Sequence, residues 1–182
     1  MAHPQQKEFI ENVVKSKFPE FFENKKVLEI GSYNINGTMR DFFTNCDYTG
    51  VDVAEGAGVD VVCKGHEFFT QIESFDVCLS CECFEHDPFW ERSFWNMVKH
   101  LKPGGLLFFT CATTGRPEHG TANIRPEDSL ASTANIPEMK DYYKNLTKID
   151  FAEAFPLNDW FEEYVFLTND FSCDLYFYAI KK

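Results

Sequence analysis

Long apolar runs and an excess of basic residues are both missing from this sequence. No apolar run is long enough to cross a bilayer, and only 17 lysines and arginines stand against 29 aspartates and glutamates. Nucleic-acid backbones and anionic membranes bind proteins through basic faces, so we expect neither as a partner. The start, residues 1–4, has no basic segment followed by an apolar one, as a secretory signal would have.

Cysteine patterns typical of zinc sites and disulfide frameworks are also missing. Cys78, Cys81 and Cys83 are close together, but Cys78 falls inside an apolar run and no second cysteine pair follows at zinc spacing. We interpret these thiols as small buried hydrophobes and predict no metal site. An odd number of cysteines, seven, without a secretory signal is typical of a reduced, cytoplasmic protein.

Glycine is missing at the positions where a dinucleotide-binding turn needs it. An apolar run at residues 27–30 ends at Gly31 and the next glycine is Gly37, so the pattern G-x-G-x-x-G is absent. Glu29 adds negative charge beside this turn, which disfavours a pyrophosphate and therefore a nicotinamide oxidoreductase. S-adenosylmethionine fits better, because it carries a sulfonium, an ammonium group and a ribose that an acid can bind.

What the sequence does contain is the pattern of one α/β domain, residues 1–182, long enough to form its own core. Residues 27–30 predict a buried parallel strand. Thr38 is predicted to cap a helix, and residues 48–53 predict a second strand that carries Asp52 near its end. A strand, a turn, a helix and a strand ending in an acid form a nucleotide-binding βαβ unit.

The rest of the chain continues this alternation of strands and helices. A helix over residues 4–22, ended or kinked at Pro19, either packs on the sheet edge, which we favour, or forms a lid over the cofactor. Asp87 is predicted to cap a helix that runs to Leu101. Further strands are predicted at residues 59–63, 75–80, 106–110, 160–167 and 173–180, and further helices at 138–146 and 148–154. The predicted fold is a doubly wound, mostly parallel seven-stranded sheet with an antiparallel C-terminal strand.

Five short motifs together resemble the class I S-adenosylmethionine-dependent methyltransferases, in the branch with an E-I-G-S turn. They are L-E-I-G-S at 28–32, G-V-D at 50–52, F-D-V at 75–77, E-H-D-P at 85–88 and L-K-P-G-G at 101–105. The resemblance implies a Rossmann-like fold, S-adenosyl-L-methionine as cofactor and S-adenosyl-L-homocysteine as product. Tyr33 and Ile35 replace two glycines of the commoner family turn, so Tyr33 either points away from the ligand or helps to shape the pocket.

The cofactor is expected beyond the C-terminal ends of the first and fourth strands, where a doubly wound sheet divides. On the resemblance, the cofactor-binding residues are Glu29, Gly31, Ser32, Tyr33, Asn34, Gly37, Asp52, Val53, Gly65, His66, Cys81 and Glu82. An acid often stands in the family where this chain has Lys64, which cannot accept the adenine amino hydrogens, so a backbone carbonyl is expected to replace it. His66 either flanks the adenine or caps a turn.

The acceptor is expected at the exits of the fourth and fifth strands, along the polar stretch 111–137, which is long for a simple connection. The catalytic candidates are His119, His86 and Glu85, with His119 preferred as the base that a hydroxyl acceptor needs. The substrate-binding candidates are Arg116, Arg125 and Tyr142. The alternatives are a structural role for His86 beside a helix cap and solvated charges for the two arginines.

Two functions therefore stay open. The first is a methyltransferase that acts on a small-molecule or sugar acceptor, with O-methylation slightly preferred, as a monomer or homodimer. The second is a binding protein or degenerate paralogue that holds S-adenosylmethionine without transferring its methyl group. The missing turn glycines and Lys64 favour the second function, and the polar loop with Arg116 and His119 favours the first.

Overall fold

A seven-stranded sheet forms the centre of the computed structural model, which describes residues 3–182. The strands are β1 Lys26–Ile30, β2 Asp47–Asp52, β3 Val61–Val62, β4 Phe75–Cys81, β5 Leu101–Ala112, β6 Phe161–Asn169 and β7 Asp174–Lys181. Their order is β3-β2-β1-β4-β5-β7-β6. The first five strands pair in parallel, and β7 runs antiparallel to both β5 and β6. The predicted α/β fold, with a mostly parallel sheet and an antiparallel C-terminal strand, is confirmed.

The sheet divides at β1, which pairs with β2 on one side and with β4 on the other. The side chains of Val27 and Leu28 are fully buried on opposite faces of the sheet, in two separate hydrophobic cores. A central parallel strand covered on both faces needs such a continuous apolar run, which is why the sequence pattern identified it. The division places the loops that follow β1 and β4 on either side of one opening, where doubly wound sheets bind ligands.

The helices cover both faces of the sheet and are mostly short. They are α1 Pro4–Phe9, α2 Trp90–His100, α3 Leu130–Thr133, α4 Lys148–Ala154 and α5 Leu157–Trp160, with a π-helical segment Ile10–Lys15 directly after α1. Short 3-10 helices lie at Pro19–Phe22, Met39–Phe42, Phe84–His86 and Pro126–Asp128. None of these helices, within residues 3–182, has both the length and the apolar character to span a bilayer.

The N-terminal helix packs on the sheet, as the favoured prediction had it. The ring of Phe9 stacks on Tyr176 of β7 with centroids 4.4 Å apart, and Ile10 and Val14 are fully buried. The predicted end of the helix at Pro19 is confirmed, because a separate 3-10 helix begins there, but residues 10–15 are π-helical rather than α-helical. Proline cannot supply the N–H that a continuing helix requires.

Three other local predictions need correction. The helix after Asp87 begins at Trp90, and Asp87 instead accepts hydrogen bonds from the Phe89 N–H and the Ser93 hydroxyl, at 2.8 and 2.6 Å. β5 begins directly at Leu101, with a register irregularity against β4 over the next residues. The predicted helix at 138–146 is absent, because the Lys144 N–H bonds to the Glu85 carbonyl at 2.9 Å and draws the chain into tertiary contacts.

The core between the sheet and α2 is built from aromatic rings. Phe94, fully buried, has ring centroids within 6.5 Å of six other phenylalanines: Phe84, Phe109, Phe151, Phe155, Phe161 and Phe177. Such contacts join α2, α4, β5 and β7 into one packed layer. The abundance of phenylalanine in the sequence therefore has a structural role in holding the helices on this face.

We expect Phe94→Ala to lower the free energy of unfolding by about 3–5 kcal/mol, because it removes a buried ring and leaves a cavity. Phe171→Ala is the matched control, since Phe171 is 85% exposed, and should change stability by less than about 0.5 kcal/mol. Denaturant unfolding followed by circular dichroism measures both. Similar losses in the two variants would contradict a core centred on Phe94.

Candidate functional site

A cleft opens beyond the C-terminal ends of β1, β2 and β4, with a volume of about 810 Å³ when the space open to solvent is counted. Ten of the twelve predicted cofactor residues line it: Glu29, Gly31, Ser32, Tyr33, Gly37, Asp52, Val53, Gly65, Cys81 and Glu82. Asn34 and His66 do not. The cleft therefore lies at the switch point that the sequence pattern predicts.

The turn after β1 lies directly against the exit of β4. Gly31 has a φ of +81°, and a Cβ atom there would be 2.4 Å from the Cβ of Cys83. Only glycine tolerates both the backbone conformation and this contact. The Gly31 N–H donates to the Val51 carbonyl at 2.8 Å, which fixes the turn to β2 as well. Cys83 is a lining residue that the sequence prediction missed.

Tyr33, which stands where the commoner family turn has glycine, shapes the wall of the cleft. Its ring packs so closely on Gly56 that a Cβ there would be 2.4 Å from two ring carbons. Asn34, predicted as a cofactor contact, instead accepts a hydrogen bond from the Gly37 N–H at 2.8 Å through its side-chain oxygen. Its side chain closes the turn, so we correct its role to a structural one.

Asp52 holds a fixed carboxylate at the end of β2. One oxygen accepts from the Val53 N–H at 2.8 Å and the other from the Tyr33 N–H at 3.0 Å. Burial raises the pKa of Asp52, and the two backbone hydrogen bonds act in the opposite direction. Each oxygen accepts one bond from the backbone and keeps capacity for a donor from a ligand in the cleft.

Glu29 is a second carboxylate in the cleft, and it is only 3% exposed. Its Oε2 accepts a hydrogen bond from the Tyr48 hydroxyl at 2.8 Å. Burial raises the pKa of Glu29 to about 7, although the Tyr48 bond and the charge of Arg40 lower it. A buried carboxyl with such a pKa is stabilised in its ionised form by any cation that enters the cleft.

The exit of β3 contributes Cys63 and Gly65 to the cleft. Gly65 lines it, whereas the His66 ring lies 4.5 Å from the Phe89 ring and outside the lining. This position corrects the prediction of His66 as a cofactor contact. The Lys64 ammonium is paired with Glu138, which neutralises its charge. The next residue, Met139, lines the cleft.

The stretch after β5 forms one wall of the cleft, as the loop prediction required. The lining from this stretch consists of Asp128, Ser129, Leu130 and Ala131, and Met139 follows further along the chain. Arg125, predicted to bind substrate, has its side chain 61% exposed and is paired with Asp128 at 2.9 Å. The Arg125 guanidinium therefore lies beside the cleft, and of this pair only Asp128 lines the cleft.

Arg116 and Tyr142, the other predicted substrate contacts, do not line the cleft. Arg116 donates to the Ser172 carbonyl at 2.6 Å and to Asp174 at 2.8 Å, and lies 3.8 Å from Glu82. We correct its role to an internal ion pair. Burial raises the pKa of Glu82, but His3, whose Nε2 lies 3.8 Å from the Glu82 Oε2, and the charge of Arg116 outweigh this and bring the pKa to about 2.

The three predicted catalytic residues form one buried cluster, of which only His86 lines the cleft. The His86 and His119 rings have centroids 5.0 Å apart, and the Tyr143 ring lies 5.6 and 5.1 Å from them. Burial lowers the pKa of both histidines. Burial, with the charge of Glu82, raises the pKa of Glu85 to about 8. His119, preferred from the sequence as the base, therefore lies behind His86.

Gln6 and Tyr143 are functional candidates that the sequence did not indicate. Gln6 lines the cleft from α1 and donates to the Thr110 hydroxyl at 2.8 Å. The lid alternative for the N-terminal helix stays a prediction, to which the position of Gln6 is relevant. Glutamine on a helix and tyrosine in a loop carry no local signal, and only the fold places them here.

Comparisons with known proteins agree with this geometry. The family model for a methyltransferase domain matches residues 1–166. The chain therefore belongs to this family, and the class I methyltransferase resemblance is confirmed. A comparison with curated protein sequences found no significant match.

Several solved structures share the fold at low sequence identity. Phosphoethanolamine N-methyltransferase 2 from Haemonchus contortus, in complex with S-adenosyl-L-methionine, has a TM-score of 0.62 at 18% identity, over 94% of this chain and 51% of that one. The chain thus spans about half of that enzyme. A Burkholderia thailandensis 1,6-didemethyltoxoflavin-N1-methyltransferase has a TM-score of 0.61 at 14% identity, over 100% and 92% of the two chains. Geranyl diphosphate C-methyltransferase from Streptomyces coelicolor A3(2) has a TM-score of 0.58 at 12% identity, over 94% of this chain and 76% of that one.

We expect Glu29 to titrate near pH 7, where burial places its pKa. Tyr48→Phe should raise this pKa further, because it removes a hydrogen bond that favours the ionised carboxylate. Carboxyl carbon chemical shifts followed by NMR against pH measure the effect. Tyr164→Phe, which removes a hydroxyl bonded to Asn158 instead, should leave the titration of Glu29 unchanged. A Glu29 that titrates near its ordinary value in the unsubstituted protein would contradict its burial.

Proposed function

We propose that this chain, as one domain, transfers the methyl group of S-adenosyl-L-methionine to a small-molecule acceptor, with an oxygen atom as the preferred site of methylation. The observation that carries the proposal is a pair of carboxylates in one cleft, Glu29 at the end of β1 and Asp52 at the end of β2. The solved neighbours from Haemonchus contortus and Burkholderia thailandensis hold S-adenosyl-L-methionine or S-adenosyl-L-homocysteine in related folds.

The two carboxylates fit the two ends of this cofactor. The spare lone pairs of Asp52 suit ribose hydroxyls, because both of its oxygens are already oriented by backbone N–H groups. Glu29, buried and easily ionised by a nearby cation, suits the ammonium group. The backbone at Gly65 replaces the acid that the family often has at Lys64. S-adenosyl-L-homocysteine keeps the ribose and the ammonium and would bind to the same residues.

The acceptor approaches from the side of His86. Methyl transfer forms a bond from the acceptor atom to the methyl carbon while the carbon–sulfur bond breaks, and the sulfur keeps the electron pair. Positioning the acceptor in line with that bond supplies much of the acceleration. A hydroxyl acceptor must also lose a proton. Burial holds the pKa of His86 well below its ordinary value, so its ring is neutral and one nitrogen keeps a free lone pair at neutral pH.

The preference for oxygen as the acceptor atom can be tested directly. The named reactions of the solved neighbours include methylation of nitrogen and of carbon, so the fold accommodates several acceptor atoms. The polar groups behind His86, which are Glu85 and His119, favour an acceptor with hydroxyl groups. Release of S-adenosylhomocysteine in a panel of hydroxyl, amine and carbon acceptors measures this preference.

The second function, cofactor binding without transfer, has one observation in its favour. Tyr33, which lines the cleft, stands where the commoner family pattern has glycine, and its ring packs on Gly56. Binding of S-adenosylmethionine with no S-adenosylhomocysteine released in any acceptor reaction would establish this function and overturn the first.

We expect Asp52→Asn to weaken the binding of S-adenosylmethionine by about tenfold or more, because each charge-assisted hydrogen bond contributes roughly 1.5–3 kcal/mol. Asp47→Asn is the matched control, since Asp47 is exposed at the opposite end of the same strand. Isothermal calorimetry measures both, and NAD should show no binding. Equal affinities in the two variants would place the ribose elsewhere.

We expect His86→Asn to lower turnover by about 10²-fold, the effect of losing a group that acts on the acceptor proton. The affinity for S-adenosylmethionine should change little, because the expected cofactor contacts come from β1 and β2. Turnover is measured with the best acceptor of the panel, and affinity by calorimetry. Full turnover in this variant would move the acceptor away from His86.

A further inference from the structure

We propose that Glu85, His86 and His119 bind a divalent transition-metal ion at the acceptor end of the cleft. One potential ligand atom from each of the three side chains lies within 4.8 Å of the others. Bonds of about 2.0–2.2 Å to one ion require ligand atoms roughly 3–3.5 Å apart, so inward shifts of about 1 Å complete the site. The sequence identified these residues as acid–base candidates and predicted no metal, because only the fold brings His119 to the pair.

The free lone pairs of this cluster are the second observation. Glu85, His86 and His119 are 0, 6 and 5% exposed. Within residues 3–182, the Oε2 of Glu85, both ring nitrogens of His86 and the Nε2 of His119 have no hydrogen-bond partner. Buried polar atoms in folded proteins nearly always have partners, so a group of such atoms at one point indicates a bound species. The carboxylate oxygen and one nitrogen of each neutral imidazole can donate a lone pair, which suits a cation.

The surrounding contacts orient these lone pairs. The His119 Nδ1 lies 3.0 Å from the Pro117 carbonyl, which can only accept a hydrogen bond, so Nδ1 carries the proton and Nε2 the lone pair. The Ala112 N–H donates to the Oε1 of Glu85 at 3.3 Å and leaves Oε2 available. A Cβ at Gly120 would lie 2.6 Å from the His86 ring. The backbone there fits closely around the imidazole.

A neighbouring cluster differs because one of its carboxylates is paired with a protein cation. His3, Glu82 and Asp174 also bring potential ligand atoms together. There, however, Asp174 accepts from Arg116, from the Ser172 hydroxyl and from the Tyr176 hydroxyl, at 2.8, 2.5 and 3.0 Å. Its charge is compensated by protein groups. The cluster of Glu85, His86 and His119 has no cation of the described chain paired with it.

The ligand atoms select the kind of ion. Two imidazole nitrogens and one carboxylate oxygen suit Zn²⁺, Fe²⁺, Co²⁺ or Mn²⁺, whereas Mg²⁺ and Ca²⁺ prefer oxygen ligands. Three protein ligands leave at least one coordination position open, as in catalytic sites. Because His86 lines the cleft, the open position lies toward the acceptor.

The role of the ion depends on the proposed function, whereas its binding does not. An acceptor hydroxyl on the ion releases its proton to water, and its oxygen then attacks the methyl carbon. The new carbon–oxygen bond forms as the carbon–sulfur bond breaks, and the sulfur keeps the electron pair. The ion makes the hydroxyl more acidic, so His86 acts on the acceptor through the ion rather than by taking its proton.

Binding of Co²⁺ to the metal-free protein tests the inference without cofactor or acceptor. Calorimetry should show one site, and visible absorption should show Co²⁺ without the charge-transfer band that a thiolate ligand adds. Glu85→Gln and His119→Gln should each weaken binding by about tenfold or more. Glu118→Gln, beside His119 but exposed and bonded to Thr121, should bind as the unsubstituted protein does. Circular dichroism confirms that each variant is folded.

Two results would overturn the metal site. One is the absence of Co²⁺ and Zn²⁺ binding at millimolar concentration, and the other is equal binding in all three variants. S-adenosylmethionine binding and methyl transfer in a chelator-treated protein would still support the proposed function in either case. Conversely, Co²⁺ binding at this site in a protein that binds no S-adenosylmethionine would retain the metal and refute the proposed function.

Discussion

The pairing of β1 with β2 on one side and β4 on the other is the interaction on which the rest of the structure depends. Because β1 is buried on both faces, its register is set by the apolar residues that flank it. That register places Glu29 beside Gly50 and Leu79, at the opening between the two halves of the sheet. The turn that follows then has to pass close to β4, and Gly31 is the residue that allows it.

The cleft gathers ionisable groups that folding stability alone would not favour. Burial raises the pKa of Glu29 to about 7 and of Glu85 to about 8, because their surroundings solvate a charge poorly. Elsewhere the chain pairs a buried acid with a cation, as with Asp174 and Arg116. Buried acids with raised pKa values in or beside a cleft are typical of functional sites.

The cofactor side of the cleft was predictable from sequence, and the acceptor side only in part. Local apolar patterns identify the strands that end just before Gly31 and Ser32 and at Asp52. The order of these strands then predicts where the three residues lie. Arg116 pairs with Asp174, 58 residues along the chain, and no local pattern indicates such a partner. The helix predicted at 138–146 failed for the same reason, because the contact of Lys144 with Glu85 overrides local propensity.

The proposed acceptor side of the cleft depends on the stretch after β5. The sheet fixes Glu29 and Asp52 at strand ends, whereas His119, Leu130 and Met139 come from a stretch that is irregular for most of its length. Its position is held by a few contacts, among them the Lys64–Glu138 pair and the close fit of Gly120 on His86. Changes in this stretch can therefore reshape the acceptor pocket while the sheet and the cofactor contacts stay in place.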